Sequence, residues 1–385
     1  MFYIGIDISK FKHDCCVIDE VGDVVTPSWS FANDQEGFEQ FKSLLTSLKE
    51  ETRIGLESTG HYGTNLKLFL EANDYSFMEF NPLLINRFVK SKSLRKTKTD
   101  SLDCEMIARY LMTVEYKPYP SSFYHIEKLK SLTRFRDSLV RQRSRQLVEL
   151  TNILDKVFPE FKPFFKNRFS VTALYILAHY PSPEKIANMK AFDNIRKISR
   201  GSFTAIDFAN LKILAKNTVG NTSDFLIDEM NTVLDIYGQL DSKVDEITIT
   251  IEDCISDINP PCLSVPGIGK LSAAVIIAEF GDFSKFNNPG KLLSFSGMEP
   301  GYFQSGTAES NGRMVKHGSS LVRYTLMNCT QTVINNNPVF AQYYAKKRSE
   351  GKSHRVALSH TAKKLLRVIY TLQTKNVLFD SSLVR

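Results

Sequence analysis

The stretch at residues 3–9, Y-I-G-I-D-I-S, decides how the rest of the chain is interpreted. Its apolar and β-branched residues predict a buried strand over residues 3–8, and such a strand normally excludes charge. Asp7, near the end of this strand, therefore has a desolvation cost that needs a reason. It either caps the strand end or pairs with an arginine, or it holds a metal ion or a phosphate where the strand opens onto a cleft.

The residues that follow predict four further strands and two helices. The strands are predicted at residues 13–18, 24–31, 53–57 and 75–80, and the helices at residues 34–49 and from about 64 to 73. Three strands of antiparallel type, followed by helix, strand, helix and strand, are the order of an RNase H-like fold. The strand at 53–57 ends on Glu57, as the first strand ends near Asp7, and the two strands are neighbours in such a sheet.

Two further acids, Asp100 and Asp103, begin the next predicted helix, which runs through Ile107 and Leu111. Thr99 or Asp100 is a suitable N-cap. Residues three apart lie on one helix face, with Cβ atoms roughly 5–6 Å apart. Capping and the helix dipole also favour Asp in a first turn, and for these two residues alone that explanation suffices.

Taken together, the four acids predict a metal site. Four carboxylates in one cleft cannot all ionise unaided, because like charges raise each other's pKa. Mg²⁺ prefers carboxylate and water oxygens and keeps open positions for phosphate. Two such ions roughly 4 Å apart can polarise a phosphodiester. We therefore expect a site of two Mg²⁺ ions at Asp7, Glu57, Asp100 and Asp103.

The composition is that of a globular protein with an excess of positive charge. Of 385 residues, 42% are hydrophobic, and the formal net charge is +7. The six cysteines form no C-x-x-C pair, which favours a reducing compartment and argues against zinc. Without an 18-residue apolar run or a signal peptide, we expect a cytoplasmic protein that associates with the nucleoid when bound to DNA, and no membrane partner. Basic residues crowd positions 87–98, 134–145 and 346–367, which indicates a polyanionic partner, although each cluster alone is also compatible with a solvated face.

The middle of the chain is predicted to be helical. Residues 125–157 form one long helix, and residues 158–222 a small helical insertion. Residues 226–258 carry an apolar seam with alternating steps of four and three, which is typical of a coiled coil. Its partner is the 125–157 helix, another subunit, or both. The seam members are Leu226, Met230, Val233, Tyr237, Leu240, Val244, Ile247, Ile251, Cys254 and Ile258.

Residues 259–261, N-P-P, end this helix and mark a predicted domain boundary. The sequence P-G-I-G at 266–269 lies between two helical segments and indicates a helix–hairpin–helix. There the backbone at Gly267 and Gly269, with Lys270 behind it, can approach a nucleic-acid phosphate. A tight turn that only joins two helices is the alternative.

Residues 294–323 are rich in Ser and Gly, with Arg313, Lys316, His317 and Arg323 interspersed. This composition predicts a flexible loop in which a serine nucleophile could stand beside a phosphate. Most serines next to glycine are turn residues, and composition alone does not select one.

With these motifs in order, the chain resembles the insertion sequence 110 family of transposases, which are DEDD transposases understood as bridge-RNA-guided serine recombinases. The resemblance rests on G-I-D-I-S, L-E-S-T-G and K-T-D-S-L-D in the first half. In the second half it rests on S-V-P-G-I-G, F-S-G-M-E-P, Q-S-G and K-H-G-S-S-L-V-R. It covers nearly the whole chain.

The resemblance implies three parts: a RuvC-like domain at 1–124, a coiled-coil segment with its insertion at 125–258, and a mainly helical transposase domain at 259–385. It implies that Asp7, Glu57, Asp100 and Asp103 bind Mg²⁺ and that a serine forms a phosphoserine link to DNA. The Ser-Gly position matches Ser305. The family often has a second Gly where this chain has Thr307, which keeps Ser296 as the alternative.

The expected partners are element-end and target DNA, a structured guide RNA, and further copies of the chain in a dimer or tetramer held by the 226–258 seam. The candidate nucleic-acid-binding residues are Arg95, Lys96, Lys98, Arg141, Arg145, Gly267, Gly269, Lys270, Arg313, Lys316 and Arg323.

Three other functions are considered. A RuvC-like endonuclease would use the same acids with water as its nucleophile. A sugar-kinase or chaperone-type ATPase also opens with a G-I-D strand, but it requires a second Gly-rich phosphate loop that we do not find. A non-enzymatic nucleic-acid scaffold leaves four ordered acids unexplained.

Overall fold

The computed structural model describes residues 1–58, 60–92, 100–118, 123–167, 169–305 and 308–383. Within these ranges, the side chains at 92, 100–102, 123–125, 302–305, 308–313 and 383 lie outside the description. The chain divides into two compact units, Met1–Lys128 and Leu129–Arg385. The separate domain boundary expected at residue 258 stays a prediction.

The N-terminal unit contains the predicted strands and helices in the predicted order. Its strands are β1 (Phe2–Ile8), β2 (Lys12–Ile18), β3 (Val24–Ala32), β4 (Thr52–Glu57) and β5 (Phe77–Phe80). Its helices are α1 (Gln35–Ser47), α2 (Thr64–Ala72), α3 (Pro82–Lys92) and α4 (Asp100–Thr113). The helix α3 is an addition to the sequence prediction, and Thr99, the expected cap of α4, lies outside the described residues.

The five strands form one mixed sheet with the order β3-β2-β1-β4-β5. Strands β1, β2 and β3 pair antiparallel, whereas β4 pairs parallel with both β1 and β5. The expectation that the strands carrying Asp7 and Glu57 are neighbours is therefore confirmed. This unit is an α/β domain, as predicted.

The two faces of this sheet differ in what covers them. Ile4, Ile6 and Ile8 point to one face and pack into a core with residues of α1 and α2. Each fully buried side chain of this size stabilises the fold by roughly 1.5–3 kcal/mol. Because side chains alternate along a strand, Gly5 and Asp7 belong to the opposite face, which α4 covers. A Cβ on Gly5 would lie 2.1 Å from the backbone oxygen of Cys104 in α4, so only glycine allows this close approach.

The C-terminal unit is mainly helical. Its first helices are α5 (Phe123–Val157), which begins just before the unit boundary, α6 (Phe161–Phe164), α7 (Val171–His179), α8 (Pro183–Asn188), α9 (Phe192–Ile198), α10 (Ala205–Lys216) and α11 (Asp224–Ile258). The following elements are α12 (Lys270–Phe280), α13 (Pro289–Phe295), β6 (Pro300–Ser305), β7 (Ala308–Met314), α14 (Ser320–Asn336), α15 (Pro338–Ser349) and α16 (His354–Lys375). The long helix and the helical insertion are confirmed.

Of the ten predicted seam residues of α11, four are buried, five are half-buried and one is exposed. Val244 and Ile251 are buried as expected, but Ile255 is buried where Cys254 was expected, and Ile258 is 41% exposed. A strict 3.5-residue repeat drifts by about 20° per heptad on a straight α-helix, which shifts the buried line forward by one residue.

The helix α11 packs against α5 in the same chain. Arg136 of α5 donates from Nε to Thr248 at 2.6 Å, and Arg143 contacts Asp241 at 2.5 Å. Since the numbering rises along one helix while it falls along the other, the two helices run antiparallel. The helix α5 is therefore a partner of α11, as predicted. Contact of the seam with a second subunit stays a prediction.

The expectation of a flexible loop at residues 294–323 is wrong over 300–314, where β6 and β7 form an antiparallel hairpin. Phe303 pairs with Ser310, and Ser305 pairs with Ala308. Composition predicts a loop from Ser and Gly content, but it does not detect cross-strand pairing, which depends on which residues face each other. The hairpin holds Ser305 at the end of a strand.

Candidate active site and nucleic-acid interface

The parallel pairing of β1 and β4 brings two of the predicted acids to one edge of the sheet. Gly5 pairs with Gly55 and Ile6 with Leu56, so Asp7 and Glu57 follow at the same end. Both acids are half-buried, and both belong to the face that α4 covers. This placement confirms the adjacency that the sequence predicts for these two residues.

The direction of α4 brings its first turn to the same edge. Its middle lies over β1, where Cys104 and Ala108 approach Gly5. The end of α4 lies near Gly22, because a Cβ placed on Gly22 would contact the side chains of Arg109 and Met112. Because Gly22 follows β2 at the opposite edge of the sheet, α4 runs antiparallel to β1, and its beginning points towards the edge of Asp7.

Asp103, one residue before Cys104, is half-buried in this first turn. Asp100 begins the helix, and its side chain lies outside the described residues. Among the side chains that the structure describes, no group of three His, Cys, Asp or Glu residues lies close enough to hold a metal ion. The complete set of four therefore stays a prediction, although its backbone positions share one edge of the sheet.

A further carboxylate at this edge, Asp14, was not identified from the sequence. It pairs across β1 and β2 with Asp7 and is only 4% exposed. Its carboxylate accepts hydrogen bonds from Lys12 Nζ at 3.2 Å and from the hydroxyl of Ser30. These donors offset the cost of burying the charge. The signal was available, because an antiparallel hairpin closed at residues 9–11 places residue 14 opposite residue 7.

The predicted nucleophile lies on the C-terminal hairpin. Ser305 is the last residue of β6, and its side chain lies outside the described residues, as does that of Arg313 in β7. The alternative, Ser296, is fully buried and donates its hydroxyl to the carbonyl of Leu293 at 3.0 Å. A hydroxyl that is buried and already bonded has no access to a phosphodiester, which argues against Ser296. The assignment of Ser305 as the nucleophile stays a prediction.

The F-S-G and K-H-G motifs pack backbone against backbone. Gly297, at a φ of +63°, would place a Cβ 2.1 Å from the carbonyl oxygen of His317. Arg323 donates from Nη1 to the carbonyls of Ser296 at 3.0 Å and Lys316 at 3.4 Å. Arg323 therefore holds this loop together, whereas Lys316 is exposed and available to a ligand.

The two glycines of the P-G-I-G turn have different surroundings: Gly267 packs against α14, whereas Gly269 is open to solvent. Gly267 has a φ of +101°, and a Cβ there would lie 2.6 Å from Cα of Val333 in α14. Gly269 is the N-cap of α12, and no described atom lies within 4 Å of the position of its Cβ. Gly269 and Lys270 are both exposed, so the beginning of α12 is open to solvent.

A buried carboxylate near the end of α12 also escaped the sequence analysis. Glu279 of α12 is 4% exposed and accepts hydrogen bonds from Arg134 Nε at 2.7 Å and from Ser319 at 2.7 Å. Burial raises the pKa of Glu279, but the hydrogen bonds from Arg134 and Ser319 outweigh it, and the net pKa lies below its usual value. No local motif signals this contact, because its members are distant in sequence.

Glu279, Arg134 and Arg141 line a cleft of about 390 Å³. Arg141 pairs with Asp137 at 2.8 Å and remains 65% exposed, and Arg145 is exposed on the same helix. Arg95, Lys96 and Lys98 lie outside the described residues. The predicted nucleic-acid-binding residues of the C-terminal unit are thus spread over α5, the start of α12, strand β7, the loop before α14 and the first turn of α14.

Two family models match the chain, one to each half. A DEDD transposase model of the IS110 type matches residues 4–159, which include the sheet and α4. A model of the IS116/IS110/IS902 transposase family matches residues 261–345, which include α12 and the β6–β7 hairpin. These two matches identify the class of the protein as a transposase of an insertion sequence.

The chain belongs to the IS110 family of transposases. It is 23% identical to the "Insertion element IS116 uncharacterized 44.8 kDa protein" of Streptomyces clavuligerus, covering 98% of this chain and 96% of that protein. It is 24% identical to the "Pilin gene-inverting protein" of Moraxella bovis, covering 98% and 97%. The "Transposase for insertion sequence element IS1111A" of Coxiella burnetii is 22% identical, covering 86% of this chain and 78% of that protein.

None of the helices in the described part of the chain has both the length and the apolar character that a membrane span requires.

Proposed function

We propose that this transposase cuts and rejoins DNA through a phosphoserine link formed by Ser305, with Mg²⁺ held by Asp7, Glu57, Asp100 and Asp103. The observation that supports the proposal is that Asp7 and Glu57 lie at the same end of two paired strands, and that α4, which begins with Asp100 and Asp103, covers the same face of the sheet. Oxygen donors of this kind suit Mg²⁺. When bound there, Mg²⁺ would polarise the scissile phosphate and neutralise charge in the transition state.

The chain's own residues perform the covalent step. Ser305 Oγ loses its proton and attacks phosphorus, so that an Oγ–P bond forms while the P–O3′ bond breaks. The 3′ oxygen takes a proton and leaves as a hydroxyl. After strand exchange, a 3′ hydroxyl attacks the phosphoserine and releases Ser305. One phosphodiester replaces another, so the reaction needs no ATP.

Nucleic-acid partners follow from the family resemblance and from the basic residues. Arg141, Arg145, Lys270 and Lys316 would contact the backbones of element-end DNA, target DNA and a structured guide RNA, because phosphate contacts position a nucleic acid. In this scheme base pairing with the RNA supplies sequence choice. A dimer or tetramer would have to use faces of α11 that α5 does not cover.

A covalent-trap assay tests the chemistry. The full chain is purified with RNA transcribed from the flanking non-coding DNA and mixed with junction and target DNA in Mg²⁺. The mixture is then denatured in detergent. We expect a DNA adduct that maps to Ser305 and disappears in Ser305→Ala but persists in the matched variant Ser296→Ala. Cleaved DNA without an adduct would refute the phosphoserine step and support an endonuclease that uses water.

A further inference from the structure

The last helical pair of the chain, α15 and α16, carries an unusual charge. Residues 338–375 contain nine Lys and Arg but only one acid, Glu350, so their net charge is +8. The whole chain has a net charge of +7. The remaining residues together therefore have a net charge of −1, and the positive excess of the protein resides in this pair of helices.

The packing of α16 directs this charge to the surface. Its apolar stripe, which includes Ala362, Leu365 and Ile369, is fully buried in the core of the C-terminal unit. Arg355, Arg367 and the α15 residues Lys346 and Arg348 are exposed. A helix of 22 residues extends over about 33 Å, which is close to one turn of B-form DNA.

The single acid of the pair, Glu350, contacts two of these cations. Glu350 pairs with Lys347 at 2.8 Å and with Lys352 at 2.7 Å. Among the described residues, no carboxylate lies within 4.0 Å of the charged groups of Arg355, Lys363 or Arg367. An external anion could bind here without displacing an internal partner.

The pKa values of two lysines of α16 are lowered by burial and by neighbouring cations. Burial lowers the pKa of Lys363, and the charge of Arg367 lowers it further. Burial and the charge of Lys346 act in the same direction on Lys364. Mutual repulsion of this kind is relieved when phosphates bind between the cations.

The aromatic residues of the pair favour a duplex over a single strand. Tyr343 has Lys347 Nζ at 5.4 Å and Lys364 Nζ at 4.7 Å from the centre of its ring. Tyr344 makes a 2.8 Å hydrogen bond to His354. Single-stranded nucleic acids bind through bases stacked on open aromatic rings, whereas a duplex needs only cations along its backbone.

We infer that the exposed face of α15 and α16 binds the phosphate backbone of duplex DNA without regard to sequence. This inference rests on the proposed function, in which duplex DNA is the substrate. It adds a binding surface, since α16 lies beyond the residues that either family model matches.

Salt-dependent binding of the full chain to a labelled 30-base-pair DNA duplex tests the inference. The variant Arg355→Gln/Lys363→Gln/Arg367→Gln should bind about tenfold more weakly, and its log–log salt slope should fall by about one per lost phosphate contact. The matched control is Arg196→Gln/Lys197→Gln/Arg200→Gln on the insertion, which removes the same residue types. It should bind like the parent protein.

Circular dichroism and thermal unfolding should show that both triple variants are folded. Equal affinity and slope for the two variants would overturn the inference. A loss confined to duplex RNA of the same sequence, or to single-stranded DNA, would also overturn it. Binding to plain duplex requires no cleavage, so this result is separate from the adduct assay: either can fail while the other succeeds.

Discussion

The two units of the molecule carry opposite charge and present their candidate residues in different ways. Met1–Lys128 has a formal net charge of −4, and Leu129–Arg385 has +11. In the first unit, half-buried acids lie at the ends of paired strands, at one edge of the sheet. In the second, exposed cations lie on helices and loops. The register of the paired strands therefore determines where the acids lie, whereas the basic surface depends on which side chains the helices and loops expose.

The largest expected effect comes from removing one charge at the sheet edge. Asp7→Asn keeps the size of the side chain but loses a metal-binding charge, so cleavage should fall by about 10³-fold, while DNA binding stays within about twofold. Cleavage rate and duplex affinity are measured side by side. Asp23→Asn, an exposed acid of the same unit, is the control and should cleave normally. Robust cleavage by Asp7→Asn would contradict the proposal that Asp7 binds a catalytic metal ion.

The contact between α4 and β1 can be broken without touching a charge. In Gly5→Ala, the new methyl group would meet the backbone of Cys104 at 2.1 Å, and unfolding free energy should fall by about 3 kcal/mol or more. Gly238→Ala is the opposite case, because no described atom lies within 4 Å of its Cβ position in α11. It should stabilise the protein by about 0.5–1 kcal/mol. Denaturant unfolding of both variants checks this contrast, and equal stability would contradict it.

The buried acid of the second unit should support stability rather than catalysis. Glu279→Gln removes the charge that Arg134 and Ser319 contact, and we expect a loss of about 1–2 kcal/mol, because Arg134 remains half-exposed. The pKa of Glu279 is lowered in the folded protein, so its contribution is present above the unfolded value near 4.5 and is lost as pH falls through the folded pKa.

The stability difference between the parent protein and Glu279→Gln should therefore be larger at pH 7 than at pH 3. Thermal unfolding at both values measures it. A difference that does not change with pH would mean that the charge of Glu279 is not what stabilises this contact.

The smallest expected effect separates the two glycines of the P-G-I-G turn. Gly269→Ala has space for its methyl group, but Ala is a poorer N-cap than Gly, so stability should fall by less than about 1 kcal/mol, while duplex affinity should fall a few-fold. Gly267→Ala should instead destabilise the fold, because its Cβ would meet Val333. Unfolding and DNA-binding curves for the two variants distinguish a glycine that a phosphate approaches from one that only packs against α14. Unchanged DNA binding by Gly269→Ala would mean that the turn only joins two helices and does not contact the DNA.

The N-terminal unit could be predicted from the sequence because its strands are short apolar runs bounded by turn residues. The periodicity of residues 3–8 and 53–57 places Asp7 and Glu57 at strand ends, and β-sheet pairing completes the placement. Asp14 was missed because it was not considered in register with Asp7.

The C-terminal unit was predicted less completely. Its long helices follow from periodicity, but the β6–β7 hairpin lies in a stretch whose composition resembles a loop. The contact between Arg134, Glu279 and Ser319 joins residues up to 185 positions apart. No local pattern reports such a contact, since tertiary packing alone brings its members together.

The central claim is that the sheet-edge acids bind divalent metal, and direct metal binding tests it. Mn²⁺ can replace Mg²⁺ as a paramagnetic probe, and electron paramagnetic resonance measures how much of it the full chain binds. The account predicts two bound ions per chain in the parent protein and in Asp23→Asn, and a marked loss in Asp7→Asn. Equal Mn²⁺ binding by all three proteins would contradict it.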